Sequence, residues 1–172
     1  MSKYNFVSDL CGNYPVSGIR AMFDLAAGYP GAINLCNGEP NFETPKHIVE
    51  SAVTALREGR TKYGTEPGLP AMRQAVANKY IAQFGREYDI DNVMVTLGGV
   101  EGIFMSLSAI LNPGDEVIIP DPAYTCYEGQ VLLLGGKPVR VPLYEEHGFR
   151  LQPEDLEAAI TPPDQGRSAE LP

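Results

Sequence analysis

The chain has 172 residues, 44% hydrophobic and 20% charged, a composition that suits one globular domain with a real core and is short for two. A formal net charge of −9 argues against nucleic acid, which is held by clustered Lys and Arg, and offers nothing to an anionic membrane surface. Cys11, Cys36 and Cys126 are odd in number and far apart, so free thiols of a reducing compartment are expected, not a disulfide frame or a zinc site. With no bilayer-length apolar run and no secretion signal, the expected location is cytoplasmic.

In chain order, Ile19–Ala27 has helical spacing and stops at Pro30-Gly31. Ala32–Leu35 is a brief apolar run, followed by a loop of turn formers from Asn37 to Pro45. Thr44-Pro45 predicts a helix start with a capping hydroxyl and proline at the first helical position. Ile48, Val49, Ala52, Val53 and Leu56 form its expected buried face, and Gly59 ends it. A polar connector, Arg60–Gly68, carries Tyr63. Pro70 opens another helix running to about Phe84-Gly85, with Met72, Ala75, Val76, Lys79 and Tyr80 along one side.

Val93–Leu97 is a β-branched, apolar run that predicts a buried strand. Gly98-Gly99 breaks it, and Val100, Ile103, Phe104, Leu107, Ile110 and Leu111 then recur at helical spacing. Asn112–Asp115 is turn chemistry, and Glu116–Ile119 predicts a second buried strand. Tyr127–Leu134 reads as a helix closed by Gly135-Gly136, and Lys137–Tyr144 alternates as a strand, with Val139, Val141 and Leu143 on one side. Pro153–Ile160 is a last short helix. Residues 161–172 lose the pattern and are expected to form a loose tail. Strands alternating with helices predict an α/β layer fold with a mostly parallel sheet, whose pattern breaks off part-way through the domain.

Gly98-Gly99 at a helix start is either a phosphate cradle or a plain strand-to-helix turn. A dinucleotide site is disfavoured because the spacing Gly98, Gly99, Gly102 is not GxGxxG, although Asp121 closes the next strand near where a ribose-binding acid would stand. No Walker lysine follows. Tyr124 comes after the second strand, and ligands of parallel sheets gather beyond the carboxyl ends of strands, so it is expected on the same sheet edge as the glycines. Together they describe a pocket for a planar phosphorylated molecule. His47 and His147 have no partner at useful spacing and are expected at the surface. No metal cluster or Ser/His/Asp order is present in the sequence.

SGIR at Ser17–Arg20, NGEPNFETP at Asn37–Pro45, YGTEPGLPAMRQAVA at Tyr63–Ala77, the stretch Val93–Tyr127 and HGFRLQPEDLEAAITP at His147–Pro162 resemble the class I/II pyridoxal-phosphate-dependent aminotransferases, in that family's order and spacing. The resemblance implies the N-terminal part of the pyridoxal-phosphate-dependent transferase fold, truncated, with helices on both faces of the sheet. Residues 1–45 would be an N-terminal arm and small-domain segment, 46–162 an incomplete cofactor-binding large domain, and 163–172 a divergent tail. Pyridoxal 5'-phosphate is the implied cofactor. Gly98, Gly99 and Val100 match the phosphate-binding turn, where Val100 offers only its amide. Tyr124 matches the aromatic that stacks on the pyridine ring. Tyr63 matches the tyrosine that reaches the neighbouring cofactor across a homodimer, and Gly38 the glycine bordering the substrate carboxylate. Amino acids and 2-oxo acids are the implied substrates.

The sequence departs from the family at its end. Pro163–Pro172 has no likeness to the Asn-Pro motif expected there, and nothing matches the Schiff-base lysine, the pyridine-pairing aspartate or the substrate-gripping arginines. No residue matches a catalytic one, so the chain alone is expected to be inactive. The alternatives are a non-catalytic fragment or interaction partner of a full-length subunit, and a pyridoxal-phosphate-dependent carbon–sulfur lyase as the parent.

Overall fold

Turns and helix ends written into the sequence set most element boundaries in the computed structural model, which describes residues 6–12, 14, 18–33, 35, 38–160 and 168–170. Cys36, Ser17 and Asn37 lie outside the described residues. The chain forms two compact units, Met1–Cys36 with Ile103–Pro172, and Asn37–Gly102.

In the unit Asn37–Gly102, α3 spans Lys46–Arg57, one residue later than expected, and Thr44 does not cap it. Pro45 is the capping residue, with extended backbone at φ −52 and ψ 133, and its carbonyl already accepts from the Ile48 and Val49 amides at 2.9 and 3.3 Å. That places Thr44 outside the cap, too early to reach the first helical amides. The expected buried face of α3 is also corrected: none of its residues is buried, and Ile48, Val49 and Leu56 are exposed. Periodicity determines which residues share a face, not what covers it.

α4 runs Pro70–Phe84 as predicted, entered by proline and ended by Gly85 in the left-handed conformation, whose amide donates to the Ile81 carbonyl. Its buried positions are Arg73 and Ala77, one turn apart, while Met72 and Ala75 are exposed. Arg73 is buried because carbonyls satisfy it: Nε donates to Val93 O at 2.8 Å and Nη2 to Ile90 O at 2.6 Å. A 3-10 turn, Ile90–Asn92, lies under this side chain, with a reciprocal capping box between Asp89 and Asn92.

Val93–Leu97 is not a strand. Val93 has extended dihedrals, φ −120 and ψ 125, but a strand also needs a partner ladder, and the Val95 amide instead donates to the Pro67 carbonyl at 3.0 Å. Gly68 makes that approach possible. Its φ is +105, and a Cβ there would stand 2.5 Å from a methyl of Val95.

The unit Met1–Cys36 with Ile103–Pro172 holds the sheet. α1 (Asp9–Gly12) and α2 (Gly18–Ala26) precede it; α5 spans Gly98–Ile110, and its residues from Ile103 belong to this unit. β1 (Glu116–Asp121) and β2 (Lys137–Pro142) are parallel, with Ile118 opposite Val139 and Ile119 opposite Arg140. Parallel neighbours need a crossover, supplied by α6 (Cys126–Leu133). Val117 and Ile119 point to one face, where they form a core with Leu107 of α5 and Val131 of α6. Ile118 and Val141 are buried on the other face, and α7 (Pro153–Ala159) packs against β2. The loose-tail expectation is corrected in part: Ser168–Glu170 forms β3, parallel to β1, so β1 is central in the order β2-β1-β3.

No described helix is long and apolar enough to cross a membrane.

Candidate functional site

The six residues singled out in the sequence divide between the two units. Gly38, Tyr63, Gly98, Gly99 and Val100 belong to Asn37–Gly102, and Tyr124 to the other unit.

Gly98 and Gly99 are the first residues of α5 rather than a turn before it. Gly98 has φ +78, and its amide donates to the Thr96 carbonyl at 2.9 Å while its carbonyl accepts from the Thr96 hydroxyl at 2.9 Å. The Glu101 carboxylate accepts from the Leu97 amide, closing the turn from inside the helix. Among the described residues, and apart from chain neighbours and the helix's own backbone, no atom lies within 4 Å of where a Cβ on Gly98 or Gly99 would stand, which leaves room for a ligand against the backbone. A 13-residue helix with a glycine-lined first turn provides the partial positive charge and the backbone donors that an anion needs. Glycine at Gly102 is a packing matter, since a Cβ would meet the Thr96 hydroxyl at 3.2 Å.

Tyr63 lies in the connector after α3, fully exposed, and Gly38 is exposed with no neighbour within 4 Å of a Cβ.

Tyr124 lies between β1 and α6, one residue before the Thr125 cap, and is half exposed. The Tyr127 ring, packed against the core, meets it edge-on at 5.7 Å and 79°. The Tyr127 amide donates to the Tyr124 carbonyl at 3.2 Å. The Tyr124 phenol is held above the ordinary tyrosine pKa, first by a hydrogen bond with the Cys126 side chain, then by charge repulsion from that thiol, with smaller effects of burial and Tyr127. A neutral phenol and a half-exposed aromatic face suit stacking on a flat ring.

Asp121, Tyr124, Thr125, Glu128 and Arg140 line an open pocket beside this ring, together with Ile119 and Pro120. Arg140 Nη2 donates to Glu128 at 2.6 Å, and Nη1 lies 3.7 Å from Asp121. Sequence reading missed Arg140. In the sequence it falls on the side of the strand opposite Val139 and Val141, and only the pairing with Ile119 shows that this side faces α6. Sequence reading also missed the carbonyl-binding role of Arg73, which the structure buries on α4 beside Ala77.

His47 and His147 are exposed, as expected, and the His147 ring meets Tyr144 edge-on at 6.4 Å. Among the described residues no group of three or more His, Cys, Asp or Glu is arranged for a metal ion. Cys11 and Cys126 are free thiols.

Residues 30–169 match the family model described as aminotransferase class I and II. The chain is 47% identical over 146 residues to an aspartate aminotransferase of Pyrococcus abyssi, covering 84% of this chain and 38% of the relative. It is 45% identical over 147 residues to aromatic-amino-acid aminotransferase 2 of Thermococcus litoralis, covering 85% and 38%. Its fold is similar to the crystal structure of an aspartate aminotransferase from Rhizobium meliloti, with a TM-score of 0.86 at 37% identity, covering 96% of this chain and 41% of that one. The chain thus spans about 38% of the length of the curated relatives it matches. Over that length it has the aspartate aminotransferase fold, and it belongs to the class I and II aminotransferase family.

Proposed function

We propose that this chain carries the phosphate cradle and ring platform of a pyridoxal-phosphate-dependent aminotransferase. The observation that carries the reading is the opening of α5, where Gly98 at φ +78 and Gly99 begin a long helix with open space over both α-carbons. The first turn of α5, with Gly98, Gly99 and Val100, would hold the cofactor's phosphate at the positive end of the helix. Tyr124 would face the pyridine ring, in keeping with its half-exposed ring and its neutral phenol. When bound, pyridoxal phosphate supplies the electron sink for moving an amino group between an amino acid and a 2-oxo acid.

Gly38 would border the substrate carboxylate, and Tyr63 would reach a neighbouring subunit's cofactor in a homodimer; its full exposure on a polar connector supports that reach. Residues 46–162 would form part of the cofactor-binding domain, with 1–45 as arm and small-domain segment; the family match itself runs on to residue 169, past the point where the sequence loses its likeness to the family's motifs. No lysine of this chain matches the family's covalent anchor, so the chain alone holds the cofactor without transaminating.

Titration of the full chain with pyridoxal phosphate, followed by cofactor fluorescence, tests the reading. Saturable binding is expected, lost in Gly99→Asp, where a carboxylate would oppose the phosphate, and weakened in Tyr124→Ala. Absence of binding overturns it. Turnover of an amino acid with a 2-oxo acid by the purified chain overturns the claim that the chain alone is inactive.

A further inference from the structure

The segment bearing Tyr124 runs from the last residue of β1, Asp121, to the third residue of α6, Glu128. One guanidinium addresses both of its ends. Arg140 stands opposite Ile119 in the parallel ladder, and side chains two apart on a strand share a face, so Arg140 and Asp121 project to the same side of the sheet as α6. From there Nη2 bonds Glu128 at 2.6 Å, and Nη1 lies 3.7 Å from Asp121. Arg140 therefore closes an eight-residue loop, Asp121–Glu128, against a strand whose position is set by the β1–β2 ladder. Asp121 and Glu128 both line the pocket beside Tyr124, and Arg140 is the cation that reaches both; without it the pocket would hold two carboxylates and no counter-charge from this strand.

We infer that Arg140 is the positioning residue for the Tyr124 ring: it clasps both ends of the loop that carries the ring and cancels the carboxylate repulsion that would splay it. For the cofactor, the inference rests on the reading that Tyr124 faces the pyridine ring. The clasp itself exists without ligand. Arg140 touches neither substrate nor cofactor in this role. A planar fork suits it better than a point charge, because its two Nη atoms address two separate carboxylates at once.

Hydrogen exchange on the full chain, read over peptides, tests the clasp without ligand. Arg140→Gln should speed exchange of the Tyr127 amide, which is bonded to the Tyr124 carbonyl, about fivefold, while Ile118 and Val139 in the ladder stay unchanged. Glu128→Gln should loosen the same amide from the other end of the clasp, and Arg140→Lys should restore part of the protection. Unchanged Tyr127 exchange in Arg140→Gln overturns the inference, as does a rise spread equally over the ladder, which would mark a merely structural role. A pyridoxal phosphate titration of the same variants, read by induced circular dichroism of the cofactor band, separates the two claims. If Tyr124→Ala abolishes the induced signal and Arg140→Gln leaves it intact, the positioning role fails and the cofactor reading stands. If Tyr124→Ala leaves the signal intact, the cofactor reading fails, and the exchange result alone decides the clasp.

Discussion

Arg73 Nε donates to the Val93 carbonyl at 2.8 Å, joining α4 to the extended segment that leads into the glycine opening of α5. The same guanidinium bonds the Ile90 carbonyl at 2.6 Å and Asp91 at 2.9 Å. The Arg73 side chain is 10% exposed and that of Asp91 87%, so the stabilisation should reside in the carbonyl bonds and not in the ion pair. Arg73→Met, which strands two carbonyls, should lower unfolding free energy by about 2–4 kcal/mol. Asp91→Ala should cost less than about 1 kcal/mol. Urea unfolding of both variants checks this, and equal losses would mean the ion pair matters as much as the carbonyls.

Gly68 and Gly59 both have positive φ, +105 and +72, but only Gly68 is crowded. Gly68→Ala should cost about 2–3 kcal/mol, combining backbone strain with a methyl pushed into Val95. Gly59→Ala, with no atom within 4 Å, should cost about 1 kcal/mol from strain alone. Thermal unfolding of the pair separates steric from conformational cost.

Gly99 offers a case in which stability and binding move in opposite directions. It lies in the first turn of α5 without positive φ and with open space over its α-carbon. Gly99→Ala should leave the fold as stable or raise its stability by up to about 1 kcal/mol, because alanine favours the helix. The same methyl should weaken pyridoxal phosphate binding by keeping the phosphate off the backbone. Parallel melting and fluorescence titrations would show it; unchanged affinity would mean that the phosphate does not approach Gly99.

Tyr124 should ionise above the ordinary tyrosine range, and Cys126→Ala should bring it down by removing the hydrogen bond and the charge repulsion. Ultraviolet difference titration, with Tyr124→Phe to identify the residue among nine tyrosines, measures the shift. Because the folded value is raised, the contribution to stability is fully present below the ordinary pKa of 10.0 and is lost as pH rises through the raised one. Alkaline unfolding of Cys126→Ala should therefore show a smaller loss attributable to Tyr124.

Helices whose ends carry their own chemistry are legible along the chain. Pro70 and Gly85 bound α4 as read, and Gly135-Gly136 follows α6. The sequence also marked Gly98-Gly99 and Tyr124 as the residues to watch, since glycine at a helix start and an aromatic after a parallel strand are local signals. What depends on partners distant in sequence emerges in the folded chain. Val93–Leu97 has the composition of a strand, but its Val95 amide bonds Pro67, and no local property of five residues foretells that. Arg73 and Arg140 find their partners only when folding brings carbonyls and carboxylates 12 to 20 residues away within hydrogen-bond reach. Periodicity and turn chemistry are encoded in neighbours along the chain; burial of a charge depends on what the fold brings to meet it.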